Sequence, residues 1–412
     1  MASLHSRSTS IQIDSSTLTQ IRILIAIFLN IMVLRESENS FANQIMEIKG
    51  MESITERHVQ NGRVQIAIMM VIASATILMG LFAMGVGSSE QLDKLLTLEI
   101  ILGISEANSL QSDIIWQLRF PRILMAITCG VALATAGALM QGCLGNPLVS
   151  PLTLGVASGA SLGAALAIVF GLHVTDFLAP LLNYGPLERL DFASIGIVVN
   201  AFIFSLIVVA IIIQLGRMRS ISAESYILVG IAITFICGAI VSTIQYFASD
   251  AEISQLTHWS FGSLSRPDLS QTIWIAAVII SLMPIAIVFA WDLNSMALGG
   301  DDFAISTGVD PQITRVGILV LSAGMTSIVI AFTGLIGFVG LAAPHMTRLV
   351  IGNDYRKLLP CSAVTGAFLV LLADTIGRTI FAPIIIPVGV MLSVIGGPFF
   401  MYLLLANRGM SH

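Results

Sequence analysis

The feature that most constrains this chain is a series of long apolar runs, each near the ~20 residues a helix needs to cross a bilayer. They lie at approximately 64–87, 120–142, 151–172, 193–215, 226–248, 272–291, 315–334, 336–351, 359–380 and 387–406. The eighth is short and interrupted by Gly and Pro. The chain is 56% hydrophobic and only 10% charged, with a mean hydropathy of +0.93. Soluble domains carry about a quarter charged residues, so lipid has to be the solvent here. Only helices and closed barrels satisfy their backbone in lipid, and these runs are too long and unbroken for alternating barrel strands. The sequence therefore predicts an all-α polytopic membrane protein of about ten transmembrane helices over residues 64–408. An even number of spans places both ends of this domain on one side of the membrane.

Residues 1–63 form a tail different in kind, Ser/Thr-rich at first and then charged from Arg35 to Arg57. Its apolar run Ile21–Leu34 contains Arg22 and Asn30 and is short for a span, which suits an interfacial helix. Basic residues orient the rest. Arg63, Arg217, Arg219, Arg315, Arg348, Arg356, Lys357 and Arg408 fall on one side; Lys94, Arg119, Arg122, Arg189, Arg266 and Arg378 fall on the other. The first group lies nearer the span ends and is placed in the cytoplasm.

Several chemistries are excluded. A net charge of −5 argues against nucleic-acid binding. Cys129, Cys143, Cys237 and Cys361 all sit in apolar runs without disulfide or zinc spacing, and the six histidines are scattered. No catalytic or metal-binding residue is therefore assigned. Asp374 is the one carboxylate clearly inside a span, and Arg378 four residues on would pair with it, which leaves little for an ion-coupled transporter. No lysine follows a glycine, so a phosphate-binding G-x-x-x-x-G-K-[ST] loop is absent. A transporter without its own motor needs a partner. The polar stretch Leu298–Val309, with two carboxylates and three glycines, reads as a platform of short helices where such a partner would push.

Two further polar breaks, Asn146-Pro147-Leu148 and Ser220–Glu224, fall on the same side as the platform. They read as turns, or as a constriction at the inner end of a path. Gly155, Gly159 and Gly163 recur every fourth position, a spacing that lets helix backbones approach closely.

Taken in order, the motifs resemble the permease subunits of iron-siderophore, haem and vitamin B12 ABC importers (the FecCD-type permeases). The matching stretches are Leu118-Arg119-Phe120-Pro121-Arg122, Gly137–Gln141, Asn146-Pro147-Leu148, Leu154–Ala160, Gly337–Leu341 with Pro344-His345 and Arg348, Leu372-Ala373-Asp374 with Arg378, Pro387–Val390 and Gly397–Phe400. The resemblance runs from about Val64 to Arg408. It implies the type II ABC importer permease fold in the cell membrane. It also implies a homodimer, or a pair with a paralogous permease, with the path at the two-fold axis. Two separate ATPase subunits would bind below and use ATP and Mg, and an extracytoplasmic substrate-binding protein would bind above. This chain itself would hold no cofactor.

Carried over residue by residue, the resemblance makes Gly300, Asp301, Asp302, Ala304, Gly308 and Val309 the ATPase-coupling loop. Arg119, Arg122 and Arg378 become docking residues for the binding protein, and Asn146, Leu148, Ser222 and Ala223 the inner gate. The chain departs from the family pattern in its long tail, in the consecutive aspartates, and in Ile305 where arginine or serine is common. The cargo implied is a metal chelate, ferric siderophore first; haem, cobalamin or an oxyanion would use the same scaffold. An ion-coupled secondary transporter and an intramembrane enzyme are the rival classes.

Overall fold

The computed structural model describes residues 54–86, 94–101, 103–176, 192–217 and 223–407. The tail up to residue 53 and Ser222 lie outside the described residues.

All the regular secondary structure of the described residues is helical. Its elements are α1 (Ile54–Gly85), α2 (Lys94–Ile101), α3 (Ser109–Asp113), α4 (Phe120–Cys143), α5 (Val156–Phe170), α6 (Phe192–Arg217), α7 (Ala223–Phe247), α8 (Asp250–Ser260), α9 (Leu269–Ser306), α10 (Pro311–Thr333), α11 (Val339–Ile351), α12 (Tyr355–Thr379) and α13 (Val388–Asn407). A π-helical turn, Ile114–Arg119, joins α3 to α4. Among the described residues, seven segments are long and apolar enough to cross a membrane, and three shorter apolar helices begin at Val156, Val339 and Val388. Each of these ten coincides with one of the ten apolar runs.

Three differences from the sequence-based expectation concern polar segments. The short helices α2, α3 and α8 lie outside the predicted spans. Ser249 caps α8 and Asn108 caps α3 through paired side-chain bonds, so cap chemistry rather than an apolar stripe makes these two helices. The helix α1 runs unbroken through position 63, where the tail was expected to end. The predicted span at 272–291 continues to Leu298 and bends only at Gly299–Gly300.

The centre of the bundle is the pair α4 and α12, which pack on each other more extensively than any other two elements. Lipid gives apolar side chains no reason to leave it, so close backbone packing has to hold such helices together. Here it does: a Cβ at Gly130 would overlap the Gly366 carbonyl, and one at Gly137 the Gly340 carbonyl of α11. α5 and α6 form a second close pair. A Cβ at Gly159 would stand 2.7 Å from the Phe204 carbonyl oxygen, and one at Gly163 would meet the Asn200 backbone. α10 packs on both pairs and joins them. By contrast α7 and α9 leave large apolar side chains uncovered, among them Phe235, Tyr246, Trp274 and Val288. The four cysteines are buried.

Candidate functional site

One end of the bundle carries the expected platform. Gly300 takes φ 73, a left-handed conformation that costs glycine nothing, and it turns the chain out of the long helix. One short helical stretch, Asp301–Ser306, follows. Gly308, at φ 86, turns back, and Asp310 caps α10 by accepting from the Gln312 and Ile313 N–H groups, with Pro311 at the first position. Ala304 is fully buried and seats the loop, while the Val309 N–H donates to its carbonyl. Asp302, Phe303, Ile305 and Leu298 face outward. The platform thus presents an apolar surface with an exposed carboxylate.

The two aspartates have different fates. Asp302 is exposed. Asp301 accepts from both terminal nitrogens of Arg315, at 2.6 and 2.8 Å, and the Arg315 Nε donates to the Cys143 carbonyl at 2.9 Å. Cys143 ends α4, where the last carbonyls of a helix have no partner of their own. The stem of the platform is tied as well. The Asn294 amide donates to Asp354 at 2.9 Å and its oxygen accepts from the Tyr355 N–H. Tyr355 packs on Gly142, and Arg348 donates to the Tyr355 hydroxyl and to Gln141. The Arg356 guanidinium bonded to it, helped by Asn294, holds the Asp354 carboxyl down to about 2.

The candidate gate lies at the same end, directly after α4. The Asn146 side-chain oxygen accepts from the Leu148 N–H at 2.9 Å, which fixes the turn. Leu148 is half exposed. Ala223, half buried, opens α7.

At the opposite end Arg119, Arg122 and Arg378 meet, as the sequence reading required, but not as free surface cations. Asp374 is buried at their centre. Arg122 grips it with Nε and Nη2, at 2.8–3.1 Å, and its Nη1 donates to the Ser265 hydroxyl. Arg378 pairs with it at 3.0 Å, which realises the spacing of four on α12, and also bonds the Val86 carbonyl. Arg119 points inward to the Met84 carbonyl and Thr97. Arg119 and Arg378 are only 6% and 8% exposed, so the expectation of three outward guanidiniums is corrected: carbonyls at the end of α1 and the Asp374 charge have drawn two of them in. A cavity of about 390 Å³ opens beside the cluster, with Gln117, Ser265 and Ile385 in its wall.

Sequence reasoning identified Arg315 only as a charge that orients the chain. Its partners Asp301 and Cys143 lie 14 and 172 positions away, and no local pattern links them. Arg122–Asp374, 252 positions apart, was missed for the same reason.

Residues 72–406 match the FecCD transport family. A hemin transport system permease of Yersinia pestis is 38% identical over 73% of this chain and 87% of that one. A vitamin B12 import system permease of Vibrio cholerae is 32% identical over 73% and 85%. A solved structure described as an inward-facing conformation of a metal-chelate type ABC transporter superposes with a TM-score of 0.69, at 26% identity, over 82% of this chain and 99% of that one. The helical architecture, the glycine-hinged platform and these matches agree: the chain belongs to the FecCD transport family of ABC transporter permeases.

Proposed function

We propose that this chain forms the membrane path of an ATP-driven importer for a metal chelate of the ferric-siderophore class. The observation that carries the reading is the platform. It is a short hinged helix that exposes Asp302, Phe303 and Ile305 at one end of a bundle whose sequence holds no phosphate-binding loop. Such a surface suits a cleft on a separate ATPase, and the platform face is then cytoplasmic. Two copies pair across a central path, two ATPases grip the two platforms, and a binding protein delivers cargo at the opposite face. The uncovered face of α7 suits the path or the second copy. The Arg122–Ser265 edge of the arginine cluster suits the carboxylates of a binding protein. Transport proceeds by alternating access, with ATP and Mg acting on the partner, and the turn at Asn146 and Leu148 opens or closes the inner end.

A metal held in a large organic ligand is common to the names of the hemin and vitamin B12 relatives and of the metal-chelate neighbour. Haem itself is the second reading, favoured by the identity to the hemin permease. Uptake into proteoliposomes that contain this chain, its ATPase and its binding protein tests both. ATP-dependent uptake of a ferric siderophore, with hemin and cobalamin as competitors, is the expected result. Uptake that follows an imposed ion gradient and ignores ATP would overturn the proposal.

A further inference from the structure

We infer that Arg315 is the strut that carries motion of the coupling loop to the inner gate. The inference rests on the importer reading above and deepens it, because nothing in that reading says how the platform reaches the path.

Three hydrogen bonds place the residue in this role. Its two terminal nitrogens hold both oxygens of Asp301, the first residue after the Gly300 bend. Its Nε holds the carbonyl of Cys143, the last residue of α4. Asn146 and Leu148 follow Cys143 within five residues, and the Asn146 N–H donates back to the Gln141 carbonyl, so the gate turn hangs directly from that helix end. A planar fork suits this double role, since it binds a carboxylate with two donors and keeps a third for the carbonyl. A lysine ammonium has no such fixed geometry.

The arrangement is also asymmetric. Arg315 is buried on α10, a helix packed into the core, and only 9% of its side chain is exposed, whereas Asp301 is 48% exposed on a glycine-hinged loop. Displacement of the loop therefore acts on a guanidinium that has little freedom of its own, and the α4 terminus bonded to it has to follow or lose that cap. Arg315 touches neither cargo nor ATP and is a positioning residue.

Two variants test this in the reconstituted complex, with ATP hydrolysis and cargo uptake read together. Arg315→Lys keeps the charge and removes the fork. It should leave ATPase co-purification intact and lower the cargo moved per ATP about tenfold, the size of a typical coupling between sites. The exchange Asp301→Arg with Arg315→Asp rebuilds the ion pair, but the carboxylate then at 315 cannot donate to the Cys143 carbonyl. It should restore assembly and thermal stability and still hydrolyse ATP without proportionate uptake. If the exchange variant transports at the parental ratio, the link to α4 is dispensable and the inference fails. If Arg315→Lys assembles and transports at the parental ratio, it fails likewise. A parental complex that shows no ATP-dependent uptake would overturn the importer reading itself, and this inference with it.

Discussion

The two ends of the bundle use the same pair of groups, guanidinium and carboxylate, to opposite purpose. At the end opposite the platform three arginines surround Asp374, which is 1% exposed and sits on α12, locked against α4 by glycine contacts. Its two ion-pair partners, Arg122 and Arg378, belong to those same two helices. At the platform end one arginine holds a half-exposed aspartate on a hinged loop. The ion pairs of this cluster staple two helices that are already in close contact. The pair at the platform end ties a glycine-hinged loop to a buried guanidinium that also caps the end of α4. What an ion pair does is therefore set by the stiffness of what it connects, and its geometry alone would not distinguish the two cases.

The largest effect should come from the staple. Asp374→Asn leaves three guanidiniums in a nearly dry site without a counter-charge, and breaking a buried pair in this way costs about 3–5 kcal/mol. Thermal unfolding in detergent should show a large drop, and Asp301→Asn a small one. Equal losses for the two variants would erase the distinction between the ends.

Glycine substitutions sharpen the same contrast. Gly130→Val pushes a side chain into the Gly366 backbone, and overpacking of that kind costs about 1–3 kcal/mol or more. Gly300→Ala meets no neighbour, and its cost is the backbone conformation alone, φ 73 with ψ −161, a region essentially confined to glycine, at about 1–3 kcal/mol. The first should lower expression and melting temperature. The second should spare much of the fold and impair uptake more than stability. A Gly130→Val protein as stable as the parent would mean that α4 and α12 separate easily, and that the arginine-cluster end is not rigid.

These contrasts also explain what the sequence could disclose. The ten apolar segments were legible because lipid imposes a length and a polarity on each one independently. The Asp374–Arg378 pair was legible because a spacing of four on one helix is a local fact. So was the small-residue face of α5, which does meet α6 closely. The platform was recognisable as polar and glycine-bearing, but its stem was not: Asp292, Asn294 and Ser295 look like a loop, and they are helical because Asn294 is bonded to the cap of α12. Arg122 with Asp374 and Arg315 with Cys143 depend on which helices become neighbours. Periodicity shows that a helix has a buried face and leaves open what lies against it.

A smaller effect separates the two aspartates of the platform. Asp302→Lys places a cation on the exposed side, where it should weaken ATPase binding without a change in unfolding temperature. Ile305→Asp should do the same through the apolar surface. Each is expected to cost about 1–2 kcal/mol of affinity, the scale of a single interface residue outside a hot spot. Pull-down of the ATPase across a salt series is the measurement. Capture that ignores both substitutions would remove the platform from the interface and leave only its internal bonds.

The smallest effect tests whether the stem of the platform is held by charge. Asp354 caps α12, accepts from Arg356 and binds Asn294 of α9. Those bonds hold its carboxyl at about 2, below the ordinary 3.8, so the folded protein favours the ionised form more than the unfolded chain does. A depressed carboxylate contributes stability that is fully present above the ordinary value and is lost as the pH falls toward about 2. The gain is modest, since Arg356 is half exposed and Asp354 partly so, and water screens the pair. In Asp354→Asn the cap and the Asn294 contact can persist while the charge is gone. Unfolding followed through the acid range should then fall more steeply for the parent than for the variant, and the two curves should approach one another at the acid end. Parallel curves would show that the stem is held by the neutral hydrogen bonds of Asn294 alone. The platform would then share with the opposite end a dependence on packing, and the comparison would narrow to Arg315.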